Sequence, residues 1–391
     1  LEIDPENQIA VVEPGVVNLE LTQAVSNFDL YYAPDPSSQQ ACTIGGNIAE
    51  NSGGPHCLAY GVTTNHVLGI EVVDADGEIS WYGGRTREHP GYDLRGIMIG
   101  SEGTLSIVTK AILRLSRKPE SVKTLLAIYQ DLDHASAAVS ADISSGIVPA
   151  AMEMMDDLAI KAAEPAVNAG YPENAGAVLL VEVEGIAELV EEDVTDIEKV
   201  MSKYNPLEIR TAKTELDRTK LWAGRKGALG ALGRLAPNYY LIDGTIPPSK
   251  LVEVMSKIKE ISAEYNVPIA NVLHAGDGNL HPAILFDERN DKETKIAFEI
   301  GGIILKLCVD AGGALSGEHG IGIEKRELMP YMFNNDDLDS MAKLKTVFDK
   351  KSLLNPGKIF PDKAESATTT FSQSSSVSNT CLLYTSPRQR A

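Results

Sequence analysis

The apolar pattern of the chain changes its period near Lys118 and Pro119, and this change constrains the fold more than any other feature. Before it, the sequence is rich in glycine, and its apolar residues alternate or run in short stretches that end at Pro-Gly, Asp-Gly or Gly-Gly pairs. Such stretches are typical of β-strands joined by tight turns. After it, short apolar runs alternate with segments whose apolar residues recur at i, i+3, i+4 and i+7, the spacing of an amphipathic helix. We therefore predict a β-rich part followed by a part in which strands and helices alternate.

The alternation in the second part predicts an antiparallel sheet covered by helices on one side, and it places the chain in the α+β class. The run "AVLLVEVEG" is short and contains glutamates, so it indicates a buried strand. A membrane span would need roughly 18 consecutive apolar residues. We predict one domain in residues 1–117 and a second in residues 118–361. Residues 362–391 are first rich in Ser and Thr and then change abruptly in composition, so we expect a disordered, non-native tail.

Charge and cysteine usage exclude several classes of function. The 391 residues carry a formal net charge of −20, from 55 acidic and 35 basic side chains. A nucleic-acid-binding protein normally shows a basic stripe, and none is visible, so we expect no nucleic-acid partner. The four cysteines form no CxxC pair, which argues against a zinc ribbon, an iron–sulfur cluster or a disulfide scaffold. These features favour a reducing, cytoplasmic setting without a transmembrane segment.

Two histidines flank a turn in "HAGDGNLH", residues 274–281. Asp-Gly is a strong signal for a two-residue hairpin turn, here at Asp277-Gly278. Counting outward from that turn places His274 directly opposite His281, with Cβ atoms about 4.5–5.5 Å apart on one face of the sheet. Two imidazoles at that distance can chelate one divalent ion. The alternative is a pair of solvent-facing histidines on an ordinary hairpin.

A third candidate ligand lies in "GALSGEHGIG", where Glu318 and His319 are framed by glycines. Flanking glycines let the backbone approach closely, so that adjacent side chains can project into one space. Two histidines and one carboxylate leave coordination positions open, as in a catalytic rather than a structural site. We therefore predict that His274, His281 and Glu318 bind a divalent metal, for which zinc and manganese both suit the nitrogen and oxygen ligands.

Five motifs in order resemble the FAD enzymes of the vanillyl-alcohol oxidase/p-cresol methylhydroxylase type. They are "PDPSSQQACTIGGNIAENSGGPHCLAYGVTTNHVLG", "GSEGTLSIVT", "HAGDGNLHP", "SGEHGIG" and "LLNPGKIF". Within this type they resemble the 2-hydroxy-acid dehydrogenase branch, and "WAGRKGALGALGRLAPNYYLIDGTIP" is most similar to its glycolate oxidase flavin subunits. The resemblance covers residues 1–361. It implies a partial FAD-binding domain, then a ferredoxin-like cap domain with the substrate site, and a short C-terminal helical segment.

The resemblance also implies where FAD binds. Glycines in "TIGGNIAENSGG" let main-chain N–H groups approach a flavin and its phosphates, although an ordinary loop has the same composition. The family's glycine-rich pyrophosphate loop would precede the first residue, so we expect the first half of the FAD domain to be absent. The implied FAD contacts are Pro36, Ser37, Ser38, Thr43, Gly45, Gly46, Asn47, Asn51, Ser52, Gly53, Gly54, Gly61, Val62, Glu102, Gly103, Thr104, Ile107 and Asn355.

The implied reaction is the oxidation of a small 2-hydroxy acid, glycolate or D-lactate, to the 2-oxo acid, with hydride transfer to flavin N5. By resemblance His319 is the general base, a role that suits an imidazole at neutral pH. Arg225 would bind the substrate carboxylate through two hydrogen bonds, although a solvated helix cation is the plain alternative. The 2-hydroxyglutarate enzymes carry a Lys near position 240, where this chain has Tyr240 and Leu241, and its absence favours a small monocarboxylate.

Electrons must then leave the flavin. Because the chain has no CxxC motif, the resemblance implies an iron–sulfur or other electron-accepting partner subunit, through which the protein could also sit at the inner face of the membrane. Two other interpretations stay open. One is a metal-dependent hydrolase that uses the two histidines and the glutamate without flavin, and the other is a non-catalytic, truncated subunit.

Overall fold

The chain builds two large β-sheets, each with a hydrophobic core of its own. The computed structural model describes residues 2–87, 90–172 and 174–362, and both sheets lie within these ranges. The predicted tail, residues 362–391, lies outside the described residues except for Asp362. The first large sheet ends at Arg114 and the second begins at Ser121, on either side of the change in apolar period. The predicted α+β class is confirmed.

The first part of the chain forms an antiparallel sheet of five strands and a separate short strand pair. Its strands are β1 (Glu2–Asp4), β2 (Ile9–Val12), β3 (Leu30–Tyr31), β4 (Val67–Val73), β5 (Ile79–Gly83), β6 (Ile107–Arg114) and β7 (Ser116–Arg117). The order in the sheet is β1-β2-β6-β4-β5, and β3 pairs with β7. Its helices are α1 (Asn18–Val25), α2 (Ile44–Glu50), α3 (Cys57–Tyr60) and α4 (Leu94–Met98).

The glycine- and asparagine-rich segment between β3 and β4 is more ordered than its composition suggests. Helix α2 begins there despite Gly45 and Gly46, which disfavour a helix. Two features compensate: the Thr43 hydroxyl accepts the N–H of Gly46 as an N-cap, and Ile44 and Ile48, one turn apart, are fully buried. The predicted FAD loop is therefore partly helical, and this helix fixes its two ends.

The second part forms an eight-stranded antiparallel sheet. Its strands are β8 (Ser121–Tyr129), β9 (Ala151–Asp156), β10 (Ala177–Gly185), β11 (Glu208–Thr211), β12 (Asn238–Leu241), β13 (Gly244–Thr245), β14 (Ile269–His274) and β15 (Asn279–Phe286). The order is β11-β8-β10-β9-β14-β15-β12, and β13 also pairs with β15. Its helices are α5 (Leu132–Ser144), α6 (Asp157–Val167), α7 (Ala187–Met201), α8 (Glu215–Ala231), α9 (Leu251–Tyr265), α10 (Asp291–Asp310) and α11 (Asn335–Phe348).

Helices cover both faces of this sheet, so the expectation of one covered face is wrong. On β10, Leu179 and Val181 pack with α5, α7, α9 and α10, whereas Val178 and Leu180 pack with α6 and α8. The physical reason is visible in the strand itself. Successive residues of β10 are apolar and buried, as expected for a strand buried on both faces. In the described part of the chain, no helix combines the length and the apolar character needed to cross a membrane.

Candidate active site

The hairpin of β14 and β15 carries both histidines, but its register differs from the prediction. His274 lies opposite Asn279, and His281 lies opposite Val272. The predicted two-residue turn is wrong because the N–H of Gly276 donates to the Met152 carbonyl of the neighbouring strand β9, at 3.1 Å, instead of pairing across the hairpin. The register is shifted by two residues, which preserves the alternation of side chains. Both histidines therefore still project from the same face.

The structure brings the three predicted metal ligands together. Glu318 Oε1 lies 3.0 Å from His281 Nε2 and 3.5 Å from His274 Nε2. One ligand atom from each side chain lies within 4.8 Å of the other two. Both histidines are almost fully buried, and their ring centroids are 5.1 Å apart. This is a compact set of two nitrogens and one carboxylate, suited to one divalent ion.

Each histidine ring is oriented by the nitrogen that points away from Glu318. His281 Nδ1 donates to the Ile242 carbonyl at 3.3 Å, and His274 Nδ1 lies 2.7 Å from Glu153 Oε1. Such contacts fix the ring and turn Nε2 toward the site. Glu153 lies on β9, a strand that the apolar pattern did not predict. A single carboxylate inside the apolar run "AAMEMM" is the signal that could have revealed it.

The buried ligands are also electrostatically coupled. Burial alone would lower the pKa of His274, but the charges and hydrogen bonds of Glu153 and Glu318 outweigh it and raise that pKa to about 10. Burial alone would raise the pKa of Glu318, but hydrogen bonds from His274 and His281 hold it well below its usual range. The histidines and the carboxylates of this cluster therefore stabilise each other's charged forms.

The loop that carries Glu318 and His319 is held by Asp243, a residue that the sequence did not single out. Asp243 is fully buried and accepts the N–H of His319 at 2.9 Å and the hydroxyl of Ser316 at 2.6 Å. Lys325 Nζ, also buried, lies 3.1 Å from it and neutralises its charge. Asp243 therefore fixes the backbone from which Glu318 and His319 project.

His319 lies at the open side of this set. Its side chain is 42% exposed, and its ring stacks on His281 with centroids 5.1 Å apart. Its Nε2 lies 3.7 Å from Glu318 Oε1. The pKa of His319 is below its ordinary value, first because burial disfavours the imidazolium and despite the opposing charge of Asp243. A neutral imidazole at neutral pH can accept a proton.

Arg225 lies beside the site on helix α8, with only 2% of its surface exposed. Its Nη2 lies 2.5 Å from Glu153 Oε2 and 3.5 Å from His274 Nδ1. The alternative of a solvated helix cation is therefore wrong, because Arg225 is buried in an ion pair. Its Nε–H is buried without a hydrogen-bond partner among the described residues, so one donor stays available.

The predicted FAD-contacting segments lie next to one another. The backbone of Gly54 packs on Asp35 and Pro36 so closely that a Cβ on Gly54 would lie 2.5 Å from the Asp35 carbonyl. The "GSEGT" segment joins α2, since the N–H of Glu102 donates to the Ala49 carbonyl at 2.8 Å. Asn355 returns from the end of the chain, and its amide donates to the Glu102 carbonyl at 2.5 Å.

Three of the predicted FAD-contacting side chains are engaged within the protein. The Asn47 amide oxygen accepts from Asn18 at 3.3 Å, and the Asn51 amide oxygen accepts the N–H of Thr64. The Glu102 carboxylate accepts the N–H groups of residues 321 and 322, at 2.6 and 2.7 Å. These side chains therefore hold the loops together. Ile107, in contrast, is 56% exposed although it is apolar.

One of the predicted FAD-contacting segments lies close to a predicted metal ligand at Gly53. A Cβ on Gly53 would lie 3.4 Å from Glu318 Oε2 and 2.8 Å from Cys57 Sγ. No side chain larger than that of glycine fits there without displacing a neighbour. The two sets that the sequence predicted separately therefore lie next to each other at this point.

Comparison with known proteins shows the family of the chain. Residues 118–359 match the family described as "FAD linked oxidases, C-terminal domain", and residues 1–83 match "FAD binding domain". The chain belongs to the FAD-linked oxidase family. The predicted family is thereby confirmed.

Two relatives of known name and one solved structure are similar to this FAD-linked oxidase. It is 47% identical over 361 residues to "Glycolate oxidase subunit GlcD" of Escherichia coli strain K12, covering 92% of this chain and 72% of that protein. It is 32% identical to a D-lactate dehydrogenase of Archaeoglobus fulgidus, covering 92% of this chain and 79% of that protein. Its fold matches p-cresol methylhydroxylase with a TM-score of 0.73 at 18% identity, covering 92% of this chain and 77% of that one.

Proposed function

We propose that this chain is the flavin-dependent catalytic subunit of an enzyme that oxidises a small 2-hydroxy acid, glycolate or D-lactate, to the 2-oxo acid. The observation that carries the proposal is the position of Glu318, which lies beside both histidines on one side and near Gly53 of the predicted FAD-contacting segment on the other. The relatives named glycolate oxidase subunit and D-lactate dehydrogenase support the class of substrate.

The donor set fits a divalent metal. Two imidazole nitrogens and a carboxylate oxygen converge, and His319 marks the exposed side from which a substrate could complete the coordination. Zinc and manganese both suit these donors. When bound there by His274, His281 and Glu318, the ion would supply Lewis-acid polarisation of the substrate hydroxyl.

The first part of the chain fits a flavin. Gly53 and Gly54 lie in the predicted FAD-contacting segment, and a Cβ on either would meet neighbouring protein atoms, so the loops pack closely there. The exposed Ile107 offers an apolar contact. FAD bound along these segments would supply the acceptor for the hydride.

His319 and Arg225 would do the protein's part of the chemistry. His319, neutral because of its lowered pKa, takes the hydroxyl proton at its exposed side. Arg225 presents the unpartnered Nε–H as a donor for the substrate carboxylate, while Glu153 holds the rest of the guanidinium. With its carboxylate held by Arg225 and its hydroxyl beside His319, the substrate would be oriented for the loss of both the hydroxyl proton and the α-hydrogen.

The stretch with Tyr240 and Leu241 supplies no lysine that could hold a second carboxylate of the substrate. The absence of that lysine favours a monocarboxylate.

We further propose that electrons pass to a partner subunit or another acceptor, since the sequence has no CxxC motif and the Escherichia coli relative is named as a subunit.

The test is to load the protein with FAD and follow bleaching of the flavin absorbance by glycolate, D-lactate and D-2-hydroxyglutarate. The first two should bleach it anaerobically, and the third should bleach it poorly. His319→Asn should slow bleaching by about 10²–10⁴-fold. His134→Asn, at an exposed helix-cap histidine outside the site, is the matched control and should not slow it. Equal bleaching by all three acids would contradict the size limit, and no bleaching by any of them would contradict the oxidation.

A metal-dependent hydrolase makes the opposite prediction. Its activity would survive complete removal of FAD and would fall with a chelator. A non-catalytic subunit would bind FAD or a partner without any bleaching. The same preparation therefore separates the three interpretations.

A further inference from the structure

The strand β9 places a carboxylate in the interior of the protein, behind the metal ligands. Glu153 lies opposite His274 in the pairing of β9 with β14, and its side chain has no exposed surface. It is on the side of His274 that faces away from Glu318. It therefore cannot bind the same ion as the three predicted ligands, and it needs another explanation.

Glu153 holds two different groups with its two oxygens. Oε1 lies 2.7 Å from His274 Nδ1, and Oε2 lies 2.5 Å from Arg225 Nη2. Burying a carboxylate without partners costs several kcal/mol, so these contacts also keep Glu153 ionised in the interior. The geometry makes Glu153 a link between the predicted substrate arginine and one metal ligand.

We propose that Glu153 is a positioning residue that orients His274 for metal binding and fixes Arg225 beside it. This inference rests on the proposed function, because it concerns the same metal. With the carboxylate accepting from Nδ1–H, the lone pair of His274 must lie on Nε2, the atom that faces Glu318. Carboxylate partners of this kind typically contribute 10- to 100-fold to metal affinity.

Replacement by glutamine tests the geometry sharply. A glutamine keeps the shape but has only one acceptor oxygen, so it cannot serve both His274 and Arg225. If that oxygen faces Arg225, its amide NH₂ faces His274 Nδ1, which must then accept a hydrogen bond and carry its proton on Nε2. That tautomer blocks the lone pair that the metal needs.

A purely structural role for Glu153 is the competing explanation, and the chain offers a matched control for it. Glu182 on the adjacent strand β10 is also fully buried and also holds an arginine and a histidine, with Arg218 Nη2 at 2.8 Å and His56 Nε2 at 3.2 Å. Glu182 contacts none of the three predicted metal ligands in the described structure. Loss of either carboxylate should destabilise the fold, but only Glu153 should affect the metal.

The experiment is a titration of the metal-free protein with Co²⁺, followed by its visible absorption, for the wild type, Glu153→Gln and Glu182→Gln. Glu153→Gln should bind Co²⁺ about 10- to 100-fold more weakly, with a changed spectrum, and Glu182→Gln should bind it as the wild type does. Urea unfolding of all three reports the common structural cost. If Glu153→Gln does not fold, Glu153→Asp keeps the charge beside Arg225 but shortens the reach to His274, and weaker Co²⁺ binding is again expected.

Two outcomes overturn this inference without affecting the proposed function. One is unchanged Co²⁺ affinity in the Glu153 variant, and the other is an equal loss of Co²⁺ affinity in the Glu153 and Glu182 variants. Absence of Co²⁺ binding by the wild type would overturn both the inference and the metal in the proposed function. Flavin bleaching by glycolate is measured separately, so it shows whether the oxidation stands without the metal.

Discussion

Among the described residues, three groups of histidine and carboxylate side chains have the spacing of metal ligands, and two of the three share His281. One of these two, the open cluster, differs from the third group, the closed cluster, in what surrounds it. The open cluster consists of His274, His281 and Glu318. The closed cluster consists of His56, Glu182 and Glu184. In the open cluster, the Nε2 atoms of both histidines face Glu318, and the polar partners on their far sides only orient the rings.

In the closed cluster, the protein itself fills the ligand positions. Glu182 accepts from Arg218 and from the Trp222 indole, at 2.8 and 2.7 Å. Tyr60 donates to Glu184, and His56 binds Asp35 at 2.9 Å through its other nitrogen. These contacts join the first part of the chain to the second. The comparison teaches that ligand type and spacing do not define a metal site unless the ligand atoms lack other partners.

The largest expected effect comes from changing one carboxylate in each cluster. Glu318→Gln removes the only anionic ligand of the open cluster, so Co²⁺ affinity should fall by more than the 10- to 100-fold expected for an outer partner. Flavin bleaching by glycolate should fall to background. Glu184→Gln, the matched change in the closed cluster, should leave Co²⁺ binding unchanged. Equal Co²⁺ loss in both variants would show that the comparison is mistaken.

The next effect concerns stability and sharpens the role of the closed cluster. Arg218→Ala removes the arginine partner of the fully buried Glu182 and leaves it with His56, and breaking such a pair should cost about 3 kcal/mol. This is the lower end of the usual range, because the Arg218 side chain is 29% exposed. Urea unfolding measures the cost. The control is Arg210→Ala, an exposed ion pair with Glu208, which should cost less than about 1 kcal/mol.

Co²⁺ affinity separates this effect from the metal site. It should be unchanged in both arginine variants, since neither residue contacts the open cluster in the described structure. A stability loss in Arg218→Ala no larger than in Arg210→Ala would contradict the closed cluster as a stabilising contact between the two parts of the chain.

The sequence predicted the members of the open cluster because their signals are local. The Asp-Gly turn implied a hairpin, glycines framed Glu318 and His319, and the ordered motifs implied the family. The register was wrong because the turn is set by the contact of Gly276 with β9, a tertiary contact that turn rules do not include. That error did not separate the histidines, since a shift of two residues keeps them on one face.

The partners of the site were harder to predict. Strand β9 has methionines on both sides of Glu153 and no clear alternation, so its carboxylate gave no periodic signal. The pairing of Arg225 with Glu153 joins residues far apart in sequence, and neither motif contains both. Likewise, Asp243 holds the loop of His319 from the connection between β12 and β13. The residues of the candidate site could therefore be predicted from the sequence. The residues that orient them could not, because they are brought there by the packing of the sheet.

Asp142 is a buried carboxylate outside both clusters, and it shows what it costs in stability to bury a carboxylate that has no cation beside it. Asp142 on α5 is fully buried, and neither oxygen has a hydrogen-bond partner among the described residues. Burial raises its pKa from 3.8 to about 7. Because the folded state binds the proton more tightly than the unfolded state, stability should decrease as pH rises from about 4 to about 7 and then level off.

Asp142→Asn should remove that decrease and stabilise the protein by about 1–3 kcal/mol at pH 8, with little gain at pH 4. Urea unfolding at the two pH values measures the difference, with exposed Asp196→Asn as the control. An equal change at both pH values would mean that Asp142 is held by a partner, like the acids of the other two clusters.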